Sequence, residues 1–426
     1  MTPSRPYRAA SIALTCCVAI TTACAPEARR EESSDVLAIV NAALYPVSSE
    51  AIENGTLLVE DGRITALGSD VDVPSGARVI DARGASVIPG LVESHSHMGF
   101  KQLNIPSTGR NNNELSEPIN AQVRAIDGLN SNDAAFTLAL ASGVTTMNIT
   151  TGSRSPNSGQ AVVVKLRGGT VSDMFLAHGG MKFAMRADGE FSNFPDTVDG
   201  VYELLVSHLR SARDYVEAGS AAADSGEKPP ARDLTHEAFA KLLSREWVVG
   251  VHTSDKLGME HAIALKKEFG LDLYIHHGRN TDELVDELVE AEVPVSFGPI
   301  LPFMGTENPR VLGPVRLAAA GGVVAFHADH PDAHQYFLRH AATMFVRKGM
   351  SRSDALRALT LNPASLFGLD SRIGSLEPGK DADFVFLEGP PLEFESLVSR
   401  VFIDGVEVFN RATGDNVFGQ RVPEGW

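Results

Sequence analysis

Two histidines one residue apart close a short apolar run, "IPGLVESHSHMG", residues 88–99. Along an extended strand, side chains two apart point to the same side, so His95 and His97 project together and can chelate one divalent cation. Taken alone, such a pair fits equally well as two hydrogen-bonded histidines at the edge of a core. What sets it apart is recurrence. "WVVGVH" ends at His252, "LDLYIHH" at His276 and His277, and "GGVVAFHADHP" carries Asp329 just past its apolar run. Four apolar runs thus end on imidazoles or a carboxylate. Three such ligands with one position open to water make a catalytic rather than a structural metal site. Lys182 lies inside apolar "GMKFAM", where burial favours a neutral amine. Its plainer reading is a lysine snorkelling from the wall of the core. His208, His236 and His261 fall on helical patterns and read as surface or capping residues. His178, His327, His330 and His334 lie nearer the site, but no spacing selects one of them.

The elements that must hold these residues alternate. Strand-like runs occur at Leu91–His97, Val144–Ile149, Met181–Met185, Trp247–His252, Asp272–His277, Val293–Phe297 and Val323–His327. Helical patterns lie between several of them. Asn280 precedes "TDELVDELVEA" with Glu283 in the capping-box position, and Ser351 precedes "RSDALRAL" with Asp354 in the same place. The expected core, residues 89–367, is a (β/α)8 TIM barrel, whose catalytic groups sit at the C-terminal ends of the strands. An open Rossmann-like sheet is the alternative, but no GxGxxG follows the first strand. Between Thr150 and Gly180 the pattern is ambiguous: "QAVVVKLRG" and "VSDMFLAHGG" both look strand-like with no clear helix between them. "EAGSAAADSGEKPPARD" reads as an exposed loop before Leu234. Flanking the core, residues 36–88 and 368–412 carry short strands with turn signals, "EDGR", "DARG" and "IDGVEV", which predict one discontinuous β-sandwich built from both ends of the chain.

Composition narrows the function classes. With 426 residues, 43% hydrophobic and 21% charged, the chain has the make-up of a globular protein. A formal charge of −17 and the absence of a basic patch argue against a nucleic-acid partner, because phosphate contacts need clustered Lys and Arg. Arg5 and Arg8 precede the uncharged "AASIALTCCVAITTAC", which is shorter than the roughly 20 residues of a membrane span and reads as a secretory signal, residues 1–24. "TTAC" resembles a bacterial lipobox ending at Cys24, with Thr21 where Leu is usual. Cleavage after "ACA" is the rival. The expected location is the periplasm, with the chain attached to a membrane through lipidated Cys24. The 3 cysteines, Cys16, Cys17 and Cys24, all lie in this segment, so the folded part has no thiolate ligand and any metal is held by nitrogen and oxygen.

Two stretches carry a family resemblance. "PGLVESHSHMG" resembles the first-strand signature of the amidohydrolase superfamily, and the segment from "ADHPDAHQYFLRH" to "GSLEPGKDADFVFLEG" resembles its C-terminal block. The likeness extends over about residues 36–410 and is nearest the subgroup of imidazolonepropionases and Xaa-Pro dipeptidase-like amidohydrolases. The resemblance implies His95 and His97 as first-strand ligands, His252 on the fifth strand and one of the His276–His277 pair on the sixth. His277, followed by Gly278, is the better match. It implies Asp329 as the eighth-strand ligand and general base, which moves a proton from the attacking water to the leaving nitrogen. His277 or a neighbour would also stabilise the oxyanion. Lys182 matches the fourth-strand lysine that is carboxylated and bridges two metals in many members, with Lys165 as its rival. The expected activity is hydrolysis of amide or cyclic-amide C–N bonds in a small molecule, a dipeptide or N-acyl amino acid. The cofactor is one or two divalent ions, zinc for these donors. A mononuclear deaminase or imidazolonepropionase-like hydrolase is the alternative, and a non-catalytic binding lipoprotein is a third. Self-association into a homo-oligomer is left open.

Overall fold

The computed structural model describes residues 36–101, 111–187, 193–299 and 309–422. The expected signal and lipidation site, residues 1–24, falls outside them. No helix among the described residues is long and apolar enough to cross a membrane.

The chain opens with β1 (Leu37–Leu44), β2 (Ile52–Glu60), β3 (Arg63–Gly68), β4 (Arg78–Asp81) and β5 (Ser86–Pro89). Asp61–Gly62 closes the β2–β3 hairpin with φ of 50° and 73°, the primed turn whose twist suits flanking strands. "DARG" does not make a hairpin: it joins β4 to β5, and both lie parallel along β1. At the other end come β14 (Phe384–Glu388), β15 (Leu397–Ile403) and β16 (Val406–Asn410), numbered after the eight barrel strands given below. The β-sandwich region is one continuous sheet, β16-β15-β14-β5-β1-β2-β3, with β4 beside β1. Alternation gives it two apolar faces. Val87, Phe384, Phe386 and Phe402 enter its own small core, while Ile88, Val385, Leu387 and Val401 enter the core of the barrel.

Eight strands follow one another around the barrel: β6 (Leu91–Ser96), β7 (Val144–Ile149), β8 (Asn157–Lys165), β9 (Phe175–Ala184), β10 (Val249–Thr253), β11 (Leu273–His277), β12 (Val295–Phe297) and β13 (Val324–Phe326). All pairings are parallel except those of β8, which runs antiparallel to both β7 and β9. Strict βα alternation therefore breaks at the third strand, which is why the sequence there shows no helical period. Only residues 150–156 link β7 to β8, and the single helical turn Val171–Met174 precedes β9. Reversal carries Lys165, at the end of β8, to the face opposite the histidines. Lys165 is therefore no rival to Lys182. Its Nζ lies 2.9 Å from Asp381 and 3.0 Å from Asp383.

Two local expectations are corrected. "EAGSAAADSGEKPPARD" is not a loop from its start: a helix runs Val198–Ser225 and ends at Gly226 with φ 73°, because its alanines are strong helix formers. Asn280 does not cap its helix; its Nδ2 donates to Glu283 Oε1 at 2.5 Å, and the segment begins as the 3-10 turn Thr281–Glu283. Ser351 does cap, accepting from the Asp354 N–H at 2.9 Å.

Candidate metal centre

Strand parity decides what the barrel encloses. On β10 to β13, Val249, Val251, Leu273, Ile275, Val295, Phe297, Val324 and Phe326 pack outward among the helices. The residues between them, Gly250, His252, Tyr274, His276, Ser296 and His327, face the axis. Gly250 is needed for space, since a Cβ there would stand 2.3 Å from His276 Nε2. By this parity His277 belongs outside with Ile275. Its φ of 72° turns it back over the rim instead, and Asp329 sits at φ 58°. Left-handed backbone at two non-glycine residues costs of order 1–3 kcal/mol each and persists only where surroundings enforce it, typically at functional sites.

The rim residues converge. One nitrogen from each of His95 and His97 and one oxygen of Asp329 lie within 4.8 Å of one another, as do His277, His327 and Asp329. His95 Nε2 and His97 Nε2 stand 3.2 and 3.5 Å from Asp329 Oδ1. His97 Nδ1 donates to Thr150 O at 2.8 Å and His277 Nδ1 to Gly298 O at 2.8 Å. Backbone carbonyls thus hold the Nδ1 protons and leave both Nε2 lone pairs for the centre. His95 Nε2, His277 Nε2 and Asp329 Oδ1 are buried with no hydrogen-bond partner. Three buried polar atoms left unpaired beside one another mark a place for a bound group. The donors, neutral imidazoles and a carboxylate, suit a divalent metal.

Electrostatics agree. Burial, with neighbouring cations, depresses His97 and His277 to about 4 and His95, His252 and His327 well below the usual value, so all are neutral near pH 7 as ligands must be. Burial would raise Asp329, but His97, His277, His327 and Lys182 outweigh it and hold the carboxyl well below its ordinary range.

His252, Lys182 and His276 come to the same place, whereas Lys165 does not and His178 stacks on Trp247 at 3.9 Å. The ring of His252 lies 4.4 Å from that of His277. Lys182 Nζ lies 3.4 Å from His95 Nδ1, and burial brings its ammonium down to about 7. His276 stands below, its ring 4.2 Å from that of His95. The structure also adds residues that sequence reading passed over. Glu93, fully buried and pushed up to about 8, accepts the N–H groups of His95 at 3.0 Å and Ala328 at 2.9 Å, tying β6 to the end of β13 where the barrel closes. Its place two residues before His95 was the only available signal. Ser94 and Ser296 carried none.

A search for relatives gives the same picture. The sequence profile described as amidohydrolase family matches residues 177–409, more than half of the chain. A crystal structure of an amidohydrolase from Thermotoga maritima is 32% identical and superposes with a TM-score of 0.82, covering 88% of this chain and all of that one. An imidazolonepropionase from Thermoplasma volcanium is 25% identical over 386 residues, 84% of this chain and 92% of its own. Amidohydrolase tasK from Hapsidospora irregularis is 25% identical over 394 residues, 84% of this chain, but only 40% of that protein's length is matched. With its barrel, its terminal sheet and its rim of histidines and aspartate, the chain belongs to the amidohydrolase family, hydrolases of carbon–nitrogen bonds.

Proposed function

We propose that the chain hydrolyses the amide bond of a small carboxylate-bearing substrate, a dipeptide or N-acyl amino acid, at a binuclear zinc centre. The observation that carries the reading is the convergence of three orphaned atoms, His95 Nε2, His277 Nε2 and Asp329 Oδ1, among buried imidazoles. His95, His97 and Asp329 would hold one ion; His252 and His277 would hold the other, with Lys182 carboxylated between them. Burial supports the neutral amine that carbon dioxide needs for carbamate formation. Metal bound there supplies Lewis acidity and the acidification of water from about 15.7 towards 7. Asp329 accepts the proton of the attacking water and returns it to the leaving nitrogen. Three cations support an anionic substrate. Lys101, Arg186 and Arg279 follow β6, β9 and β11 at the same rim, and their fields reach His97, His252 and His277. Arg279 Nε is buried without a partner.

A second reading has its own support. Lys182 as a neutral amine can accept the Nδ1–H of His95 at 3.4 Å, which orients Nε2 towards a single ion. The likeness to imidazolonepropionase favours such a mononuclear centre acting on a cyclic amide. Metal content per chain separates the two. Near two equivalents, falling to one in Lys182→Ala, supports the binuclear centre. Near one in both proteins assigns Lys182 to orientation alone. Hydrolysis of a panel of dipeptides and N-acyl amino acids, with loss on amidating the substrate carboxylate, tests the substrate class.

Export to the periplasm and lipidation at Cys24 remain part of the proposal, supported by Arg5, Arg8 and the short apolar run that follows. The mass of the mature N-terminus tests both.

A further inference from the structure

Directly beneath the rim a chain of polar contacts crosses the barrel. Ser94 Oγ donates to Phe326 O at 3.1 Å and lies 2.6 Å from Ser296 Oγ. Ser296 Oγ lies 2.8 Å from His327 Nδ1, and His327 Nε2 lies 3.3 Å from His277 Nδ1. Ser94 and Ser296 are 0% exposed, His327 2% and His277 3%, so no bulk water competes for these groups. A hydroxyl has one proton to give. A carbonyl has none, so the Ser94 proton goes to Phe326 O. Ser94 must then accept from Ser296, and Ser296 from His327 Nδ1–H. Among these four contacts only this direction gives each one a proton, and it leaves the lone pair of His327 on Nε2; the opposite tautomer would turn an Nε2–H towards Gly298 O instead. There it faces the Nδ1–H that His277 already directs at Gly298 O.

We propose that His327 is a positioning residue: with Ser296 and Ser94 it forms a one-directional relay that keeps the proton of His277 on Nδ1 and so keeps His277 Nε2 free for the metal. The assignment rests on the reading of His277 as a ligand, but its first test does not require metal at all. The relay also accounts for a histidine and two serines at axis-facing positions, where an ordinary barrel is filled by Val, Ile and Leu. A histidine tied only to one backbone carbonyl can rotate or exchange tautomer. A second acceptor at Nδ1 suppresses both, which is the function of outer partners of metal-bound histidines.

Long-range nitrogen–proton NMR on the metal-free protein reads the tautomers directly. His327 protonated at Nδ1 and His277 protonated at Nδ1 are expected. His327 protonated at Nε2 overturns the relay whatever the enzyme's substrate. Zinc titration then tests its consequence. His327→Ala should bind the same number of ions about 10–100-fold more weakly. Ser296→Ala should weaken binding by about tenfold, and Ser296→Thr, which restores the hydroxyl, should bind within about twofold of the natural protein. Loss of a whole equivalent in His327→Ala would make His327 a ligand and overturn the positioning role. Unchanged zinc affinity in Ser296→Ala would overturn it too. Thermal melts of each variant check the fold; should His327→Ala not fold, the serine pair and the NMR measurement decide.

Discussion

At the scale of residues, the centre is defined by which nitrogen each imidazole presents. Thr150 O and Gly298 O hold the Nδ1 protons of His97 and His277, and the left-handed φ of His277 brings a side chain of the wrong parity over the rim. Asp329 is the one carboxylate within reach of both His95 and His97 among the described residues. Asp329→Asn keeps its shape and removes its basicity. Turnover is expected to fall by about 10²–10⁴-fold, while the metal-free variant melts close to the metal-free natural protein. Activity within twofold of normal would remove Asp329 from the proton-transfer role. Gly250 is the matching steric test. Gly250→Ala places a methyl 2.3 Å from His276 Nε2, and that ring packs 4.2 Å from His95. Overpacking of this kind costs about 1–3 kcal/mol. A lowered melting temperature and weaker zinc binding are expected together; a normal zinc titration would show that His276 does not support His95.

At the scale of elements, the reversed strand β8 is a second device of the fold. It delivers Lys165 to the far face of the barrel, where Asp381 and Asp383 of "GKDAD" and Asp404 of the β15–β16 turn surround it. Arg372 and Arg63 pair with Asp381 from outside. One buried ammonium thereby ties the barrel to the terminal sheet. Burial alone would depress Lys165, but Asp383, Asp404 and Asp381 outweigh it and the net shift is upward. A cation raised in the folded state contributes stability in full below its unfolded value near 10.5, and loses it as pH rises through the folded value. Asp381 is shifted down despite partial burial, so its contribution is present above about 3.8 and lost as pH falls below that. Asp383, raised by burial, offsets part of this. Lys165→Met strands buried carboxylates and is expected to cost about 3–5 kcal/mol. Denaturant titrations between pH 7 and 11 should show alkaline destabilisation in the natural protein that is reduced in the variant. Parallel curves would place the lock elsewhere.

At the scale of the whole molecule, metal and fold are linked. The histidines and Asp329 come from strands far apart in sequence, so the centre exists only when the barrel is closed, and binding is folding free energy. Zinc at a thousandfold excess over its Kd adds about 4 kcal/mol. Chelation is expected to lower the melting temperature and added zinc to restore it. A melting curve indifferent to chelator would mean that the orphaned nitrogens and Asp329 hold no metal.

The same linkage separates what was legible in the sequence from what was not. That His95, His97, His252, His277 and Asp329 would meet at one rim was readable because barrel chemistry collects at strand ends, and a strand end is a local pattern: an apolar run, then an imidazole or carboxylate. Lys182 was singled out by the family resemblance, because a charge inside an apolar run describes Lys165 equally well. The strands themselves came within a few residues, since outward Val, Leu, Ile and Phe keep period two. Other features depended on contacts across the fold. Whether β8 runs up or down is set by its neighbours β7 and β9, not by its own residues, and that direction alone moved Lys165 from rival ligand to structural lock. The aim of His277 depends on a backbone angle that its surroundings enforce against its own preference. Ser94, Ser296 and His327 are ordinary residues one by one, and become a relay only because the closing barrel brings residues 202 and 31 positions apart into hydrogen-bonding distance. Local sequence determined which chemistry was present; closure of the barrel decided which atoms meet.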